Sequence, residues 1–259
     1  MKRIAKTALL AALAAALLSS VPVPSALAAG PGSKAVTKGT ARAEAELAAL
    51  GVPLQKDPDG NVRWIEAREG ELTDQAIGML PLLPRLEWLE IGNGVITPGG
   101  MRHLANCTSL KRLYVYDVLL KGDALPWLSG LAGLEALSLQ RTGIDGKFLR
   151  NLKAEGTLKV LNLSGNAIGD ADIDGITRFE NLEVLALADT GVTGDGVRKL
   201  EGMQRLNELN LSRCTLHDYD LTAFLSMPNL RIVYAEGCDI SDMAIGNVVA
   251  RFPMLAIFR

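Results

Sequence analysis

Four apolar columns recur every 24 residues, and no insertion or deletion breaks their phase. The first runs Val62, Leu86, Leu110, Leu134, Leu158, Leu182, Leu206, Leu230 and Met254. The others start at Ile65, Ala67 and Leu72 and pass through Leu89, Ile91 and Ile96. Chance does not hold four columns in phase over eight periods. A register of this kind dictates a stack of equal units, each with one apolar face that only its neighbours can bury. Within a period, "RLEWLEIGNG" (Arg85 to Gly94) shows how the unit is built. Leu86 and Leu89 stand three apart, as on a helix, while Leu89 and Ile91 stand two apart, as on a strand. The recurring columns decide between them. Leu86 marks entry into the rung, Leu89 and Ile91 point to one face of a strand, and Trp88 and Glu90 alternate to the other. A later set, such as Ile173 with Ile176 or Val197 with Leu200, has helical spacing. Asp74, Asp170, Asp218 and Asp242 stand just before these segments, where an acidic N-cap satisfies free backbone N–H groups.

The fullest statement of the unit is "LKVLNLSGNAI", Leu158 to Ile168, in the pattern L-x-x-L-x-L-x-x-N/T/C-x-I. It resembles the leucine-rich repeat family, in particular the 24-residue repeats of secreted bacterial proteins, and the resemblance covers Val62 to the C-terminus. The resemblance implies an α/β solenoid: a right-handed curved stack with a concave parallel sheet and convex helices. It also implies a non-enzymatic role in protein–protein interaction, with no cofactor. Similar repeats accompany F-box segments, but no F-box-like segment precedes these, which sets a ubiquitin-related role aside.

Four segments follow. Residues 1–28 read as a Sec-type signal peptide: basic "MKR" and Lys6, an apolar run from Ala8 to Leu18, and the small "ALA" at 26–28. That predicts export, to a periplasm or beyond the cell, and the absence of a cysteine after the cut argues against a lipid anchor. Residues 29–39 read as a flexible leader. Residues 40–61 read as an N-terminal cap. Its helix runs from Thr40 to Leu50, with Ala43, Leu47 and Leu50 on one side, and a hairpin follows with Pro58, Asp59 and Gly60 at the turn. Residues 62–259 hold eight full repeats and a truncated ninth. That ninth, "MLAIFR", leaves a sheet edge with little cover, so the expectation is a monomer with weak association through this edge.

The formal charge is −2, and removing Lys2, Arg3 and Lys6 takes it to −5 (−2 minus 3). A mildly acidic chain without basic clusters has no electrostatic footprint for nucleic acid. No second long apolar run suggests a membrane span.

Side chains between and just after the leucines face the open side of the sheet. The first rungs carry Trp64, Glu66, Trp88, Glu90, Arg112, Tyr114 and Tyr116, with Arg141 further along. These are the candidate binding residues, because aromatics and arginine supply binding hot spots. Strands lie about 4.8 Å apart, so Trp64 and Trp88 are expected to stack as a ladder, with Arg112 over Trp88 as a cation–π pair. Two readings of the ladder stand: a binding patch, or a support for the cap. Tyr114 and Tyr116, further from the cap, are expected to be the exposed pair. A protein partner fits this patch; an envelope glycan, stacked on Trp64 and Trp88 with Glu66 and Glu90 on its hydroxyls, is the alternative.

Chemistry has few candidates. "HDYD", His217 to Asp220, is the one cluster hinting at metal or acid–base work, yet each member matches a turn position of other repeats, so no catalytic or metal role is assigned. His103 stands alone beside a core leucine. Cys214 and Cys238 occupy the turn position of Asn166, Thr142 and Thr190, where a side chain bonds local backbone. Cys107 falls in a core column. All three read as thiols rather than disulfides. Gly70, Gly94 and Val118 depart from asparagine at the turn position of the first rungs.

Overall fold

The computed structural model describes residues 38–120 and 125–259. The expected signal peptide, and the leader as far as residue 37, lie outside the described residues. A single ten-stranded sheet runs in sequence order. Its strands are β1 (Leu54–Lys56), β2 (Val62–Ala67), β3 (Trp88–Gly92), β4 (Arg112–Tyr116) and β5 (Ala136–Gln140), then β6 (Val160–Asn162), β7 (Val184–Ala186), β8 (Glu208–Asn210), β9 (Ile232–Tyr234) and β10 (Ala256–Phe258). β1 pairs with β2 antiparallel and every later pair is parallel. The sheet is therefore a hairpin followed by a 24-residue staircase, with Leu89 beside Leu113 and Leu137 beside Leu161.

The inward leucines of this staircase are fully buried from Leu89 through Leu209. Short helical turns return the chain behind the sheet. Some are α-helical, as at Asp74–Met79 and Gly194–Lys199; others are 3-10, as at Gly146–Asn151 and Asp218–Ser226. Their apolar residues, Ile77, Phe148, Ile176, Val197 and Phe224, close the core from the other side. With roughly 25 cal/mol per Å² of apolar surface removed from water, this continuous stack is the main source of stability.

The cap helix α1 spans Lys38–Ala49, two residues earlier than the sequence suggests, so Lys38 and Gly39 are helical rather than part of a leader. It buries Ala43 and Leu47, and the Thr40 hydroxyl donates to the Leu82 carbonyl at 3.0 Å, fastening the helix to the first rung. In the hairpin, Asp57 Oδ1 accepts from the amides of Asp59 and Asn61.

Turn side chains bind one rung to the next. Asn166 Nδ2 donates to the carbonyls of Leu139 (2.6 Å) and Leu163 (2.9 Å), while its Oδ1 accepts from the amides of Thr142 (3.0 Å) and Ile144 (3.3 Å). Cys214 repeats the motif with a thiol aimed at the Leu187 carbonyl at 3.0 Å, and Cys238 does so at Leu211. All three cysteines are free, and burial pushes the Cys107 thiol up to about 12.

The acidic residues ahead of the helical turns do not cap their own helices. The turns that begin at Asp74, Asp170 and Asp218 have Thr73, Gly169 and His217 as N-caps, and the three aspartates reach instead to the next rung. Asp74 accepts from the amide and hydroxyl of Thr97 at 2.9 and 2.6 Å, Asp170 does the same for Thr193, and Asp218 for Ser241. The cap hydroxyl then accepts from its own helix, as Thr97 does from Gly100. A methyl group on Gly100 would lie 2.1 Å from Asp74 Oδ1, so glycine is required where the carboxylate crosses between rungs. Thr73 caps its own helix through its hydroxyl, and Asp172 and Asp220 accept from the amides of Gly169 and His217, which leaves Asp74, Asp170 and Asp218 to bridge the rungs. Asp242 instead pairs with Arg259 at 3.0 Å. At the last rung, Met254 is exposed and Leu255 is buried in its stead, because no rung follows β10 among the described residues to cover Met254.

Asn166→Ala removes a side chain that serves four backbone groups in a buried setting. A loss of about 2–4 kcal/mol is expected, read as a lower urea midpoint with the slope unchanged.

Candidate functional site

Alternation along the strands sends Trp64, Trp88, Arg112, Ala136, Val160, Val184, Glu208 and Ile232 into one column on the open face. Beside it runs Glu66, Glu90, Tyr114, Ser138, Asn162, Ala186, Asn210 and Tyr234. Parallel pairing in register brings residues 24 apart into contact, and this builds the site.

At its centre the Arg112 guanidinium lies over the Trp88 ring, 5.4 Å from the centroid. Tyr114 meets Trp88 edge-on, with centroids 5.6 Å apart and planes at 64°. This edge-on packing buries Tyr114 to 7% exposure, so the expected exposed tyrosine pair is not found; only Tyr116 keeps partial exposure. Burial, eased by Arg112 and reinforced by Glu90, pushes the Tyr114 hydroxyl up to about 12. The Trp64–Trp88 stack does not form either. Trp64 gives its indole N–H to Gln55 on the cap strand, and Trp88 packs toward Tyr114 and Arg112 instead. A hydrogen bond with the cap outweighs an indole stack with no polar partner.

A second cluster adjoins the first. Arg68 binds the buried Glu90 carboxylate through two bonds of 2.9 and 3.0 Å, and Glu66 lies 3.4 Å from the same guanidinium. Tyr116 donates its hydroxyl to Glu90 at 3.2 Å. Gly92 makes this possible, since a Cβ there would lie 2.4 Å from the Tyr116 ring. Burial first, then the Glu90 charge, raises the Tyr116 hydroxyl above the usual phenol range. Arg141 stands apart, bound to Asp117 by two bonds of 2.6 Å. Arg63, a residue not singled out in the sequence, is buried between Asp57 and Glu87.

Arg112 is different from Arg68, Arg63 and Arg141. It makes no ion pair and no hydrogen bond among the described residues, and its Nε is buried without a partner. The Trp88 indole N–H is likewise buried and unpartnered.

Glu208 is not among the candidate residues the sequence suggests. It is 8% exposed, has no cation beside it among the described residues, and burial raises its carboxyl above the usual range. Its signal was visible: one acid in a column that otherwise reads Ala136, Val160, Val184 and Ile232 around it. Between Arg112 and Glu208, Tyr114, Ala136, Val160, Val184 and Ala186 pack into a second apolar cluster, with Trp88 against its near end.

The His217–Asp220 cluster is occupied by structure. His217 stacks on Tyr219 and lies 3.4 Å from Asp239; Asp218 holds Ser241; the buried Asp220 accepts from the His217 amide and from Arg198.

Comparison with known proteins agrees with this architecture. Residues 157–176 match a family model described as Leucine Rich repeat. Among solved structures, the chain is similar to an internalin C2 from Listeria monocytogenes str. 4b F2365. The identity is 23%, 82% of each chain is covered, and the TM-score is 0.57. No curated protein matches the chain. The findings support the leucine-rich repeat family, and the fold is an α/β leucine-rich repeat solenoid.

The raised Tyr114 hydroxyl has a consequence for stability. Unfolded tyrosine ionises near 10.0 and the folded residue near about 12, so the unfolded state loses its proton first. Stability held below pH 10 is therefore lost as pH rises toward 12. Urea unfolding across this range should show a shallower decline for Tyr114→Phe than for the wild type.

Proposed function

We propose that this chain is an exported, non-enzymatic binding module that engages a protein through the open face of its sheet, at Trp88, Arg112, Tyr114 and Tyr116. The leucine-rich repeat fold suggests an interaction module in general terms. The observation that carries the finer reading is Arg112, placed over the Trp88 ring and left without an acid among the described residues. A guanidinium pre-positioned by stacking loses little freedom on binding and offers a fork of donors to a carboxylate. Arg68, by contrast, is paired within the chain with Glu90 and Glu66. The composition of residues 1–28 supports export to a periplasm or beyond the cell. The glycan alternative asks for open indole faces on Trp64 and Trp88; Arg112 lies over the Trp88 ring and no Trp64–Trp88 platform forms.

The test is affinity capture from an envelope fraction of the source organism, with wild type, Trp88→Ala and Arg112→Ala as baits. Retention of a protein by the wild type, and its loss by about tenfold or more with both variants, is expected. Equal capture by all three would overturn the proposal, and a glycan-array signal abolished by Trp88→Ala would replace it.

A further inference from the structure

Among the described residues, the two charged groups of one open-face column, Arg112 and Glu208, have no ion-pair partner. Arg112 stands on β4 and Glu208 on β8, with Ala136, Val160 and Val184 between them. Four strand spacings of about 4.8 Å put them about 19 Å apart. Side-chain size shapes the space above the intervening rungs. Small residues, Ala136, Ser138 and Ala186, form a low floor. Trp88 and Tyr114 stand at the Arg112 end, and at the Glu208 end Tyr234 stacks on Phe258 with centroids 5.4 Å apart. The face is thus a shallow trough across the strands, with a cation at one end, an anion at the other and a floor that is apolar at Ala136, Val160 and Val184 and polar beside them at Ser138 and Asn162. Leaving two charges partly desolvated and unpaired costs stability. A partner bearing the opposite charges at the same spacing removes that cost.

We propose that the trough takes one extended segment of a protein partner, carrying an acidic side chain that pairs with Arg112 and a basic one that pairs with Glu208. An extended chain rises about 3.3 Å per residue, so the two charges sit about six residues apart, with small or apolar residues between. The proposal rests on the reading that this face binds a protein, and it specifies the chemistry of that partner. It makes the middle rungs part of the site and extends the site to Glu208. Burial raises the Glu208 carboxyl, and a cation placed beside it favours the charged form.

The probe is a random 12-residue peptide library, panned on the folded full-length protein. Wild type is expected to enrich peptides with an acid and a base about six positions apart. Arg112→Glu should weaken those peptides about tenfold or more and enrich peptides with two bases. Glu208→Lys should enrich peptides with two acids. The double variant Arg112→Glu with Glu208→Arg should recover acid-and-base peptides. Should a charge reversal disturb folding, seen as a lost thermal transition, Arg112→Gln and Glu208→Gln carry the test. Each is then expected to weaken acid-and-base peptides while sparing peptides whose only charge pairs with the remaining group. Peptides that ignore both charges yet weaken with Trp88→Ala would overturn this proposal and leave the binding face standing. Peptides indifferent to all of these substitutions, or no enrichment at all, would overturn both.

Discussion

Each rung can bury its leucines only against the rung beside it. That constraint fixes everything else, because the apolar columns stay in phase only if every turn has the same length and every strand pairs in register. Leu89, Leu113, Leu137 and Leu161 form one buried row, and the same register fixes what stands on the opposite face. Trp88 therefore meets Arg112 for the same reason that Leu89 meets Leu113. A one-residue slip would exchange the two faces of a strand, and the turn side chains guard against it. Asn166 bridges two rungs behind the sheet, and Asp74, Asp170 and Asp218 bridge them at the helical turns.

The strand positions were legible in the sequence because period two and period 24 both leave marks on residue type. The cation–π pair of Arg112 with Trp88 was legible for the same reason: parallel register alone sets which residues are neighbours. Side-chain direction was not. Trp64 and Trp88 share a column, yet the cap supplies Gln55 as a hydrogen-bond partner to Trp64 and Tyr114 draws Trp88 the other way. The burial of Tyr114 is not legible either, because neighbours within the sheet, not distance from the cap, decide it. The bridging role of Asp74, Asp170 and Asp218 is hidden for a similar reason: sequence spacing shows the helix start but not the hydroxyl of the next rung that competes for the carboxylate. Glu208 stands among bland neighbours in the sequence, and its meaning comes from burial with no cation beside it among the described residues.

Charge on the open face divides into two kinds. Glu90 is answered twice within the chain, by Arg68 and by Tyr116, and these bonds hold the first rungs in one arrangement. Among the described residues, Arg112 and Glu208 have no charged partner, and the small side chains between them leave room for another chain to approach. Rigid support beside unsatisfied charge is how a binding surface keeps its geometry before the partner arrives.

The central claim is that a partner lies on the open sheet face and covers its middle rungs. A photo-crosslinking amino acid at Ser138, on the floor, compared with one at Lys199 on the helical side, tests it directly in the presence of an envelope fraction. The account predicts a crosslinked protein from position 138 and none from position 199. Crosslinking confined to position 199 would contradict it.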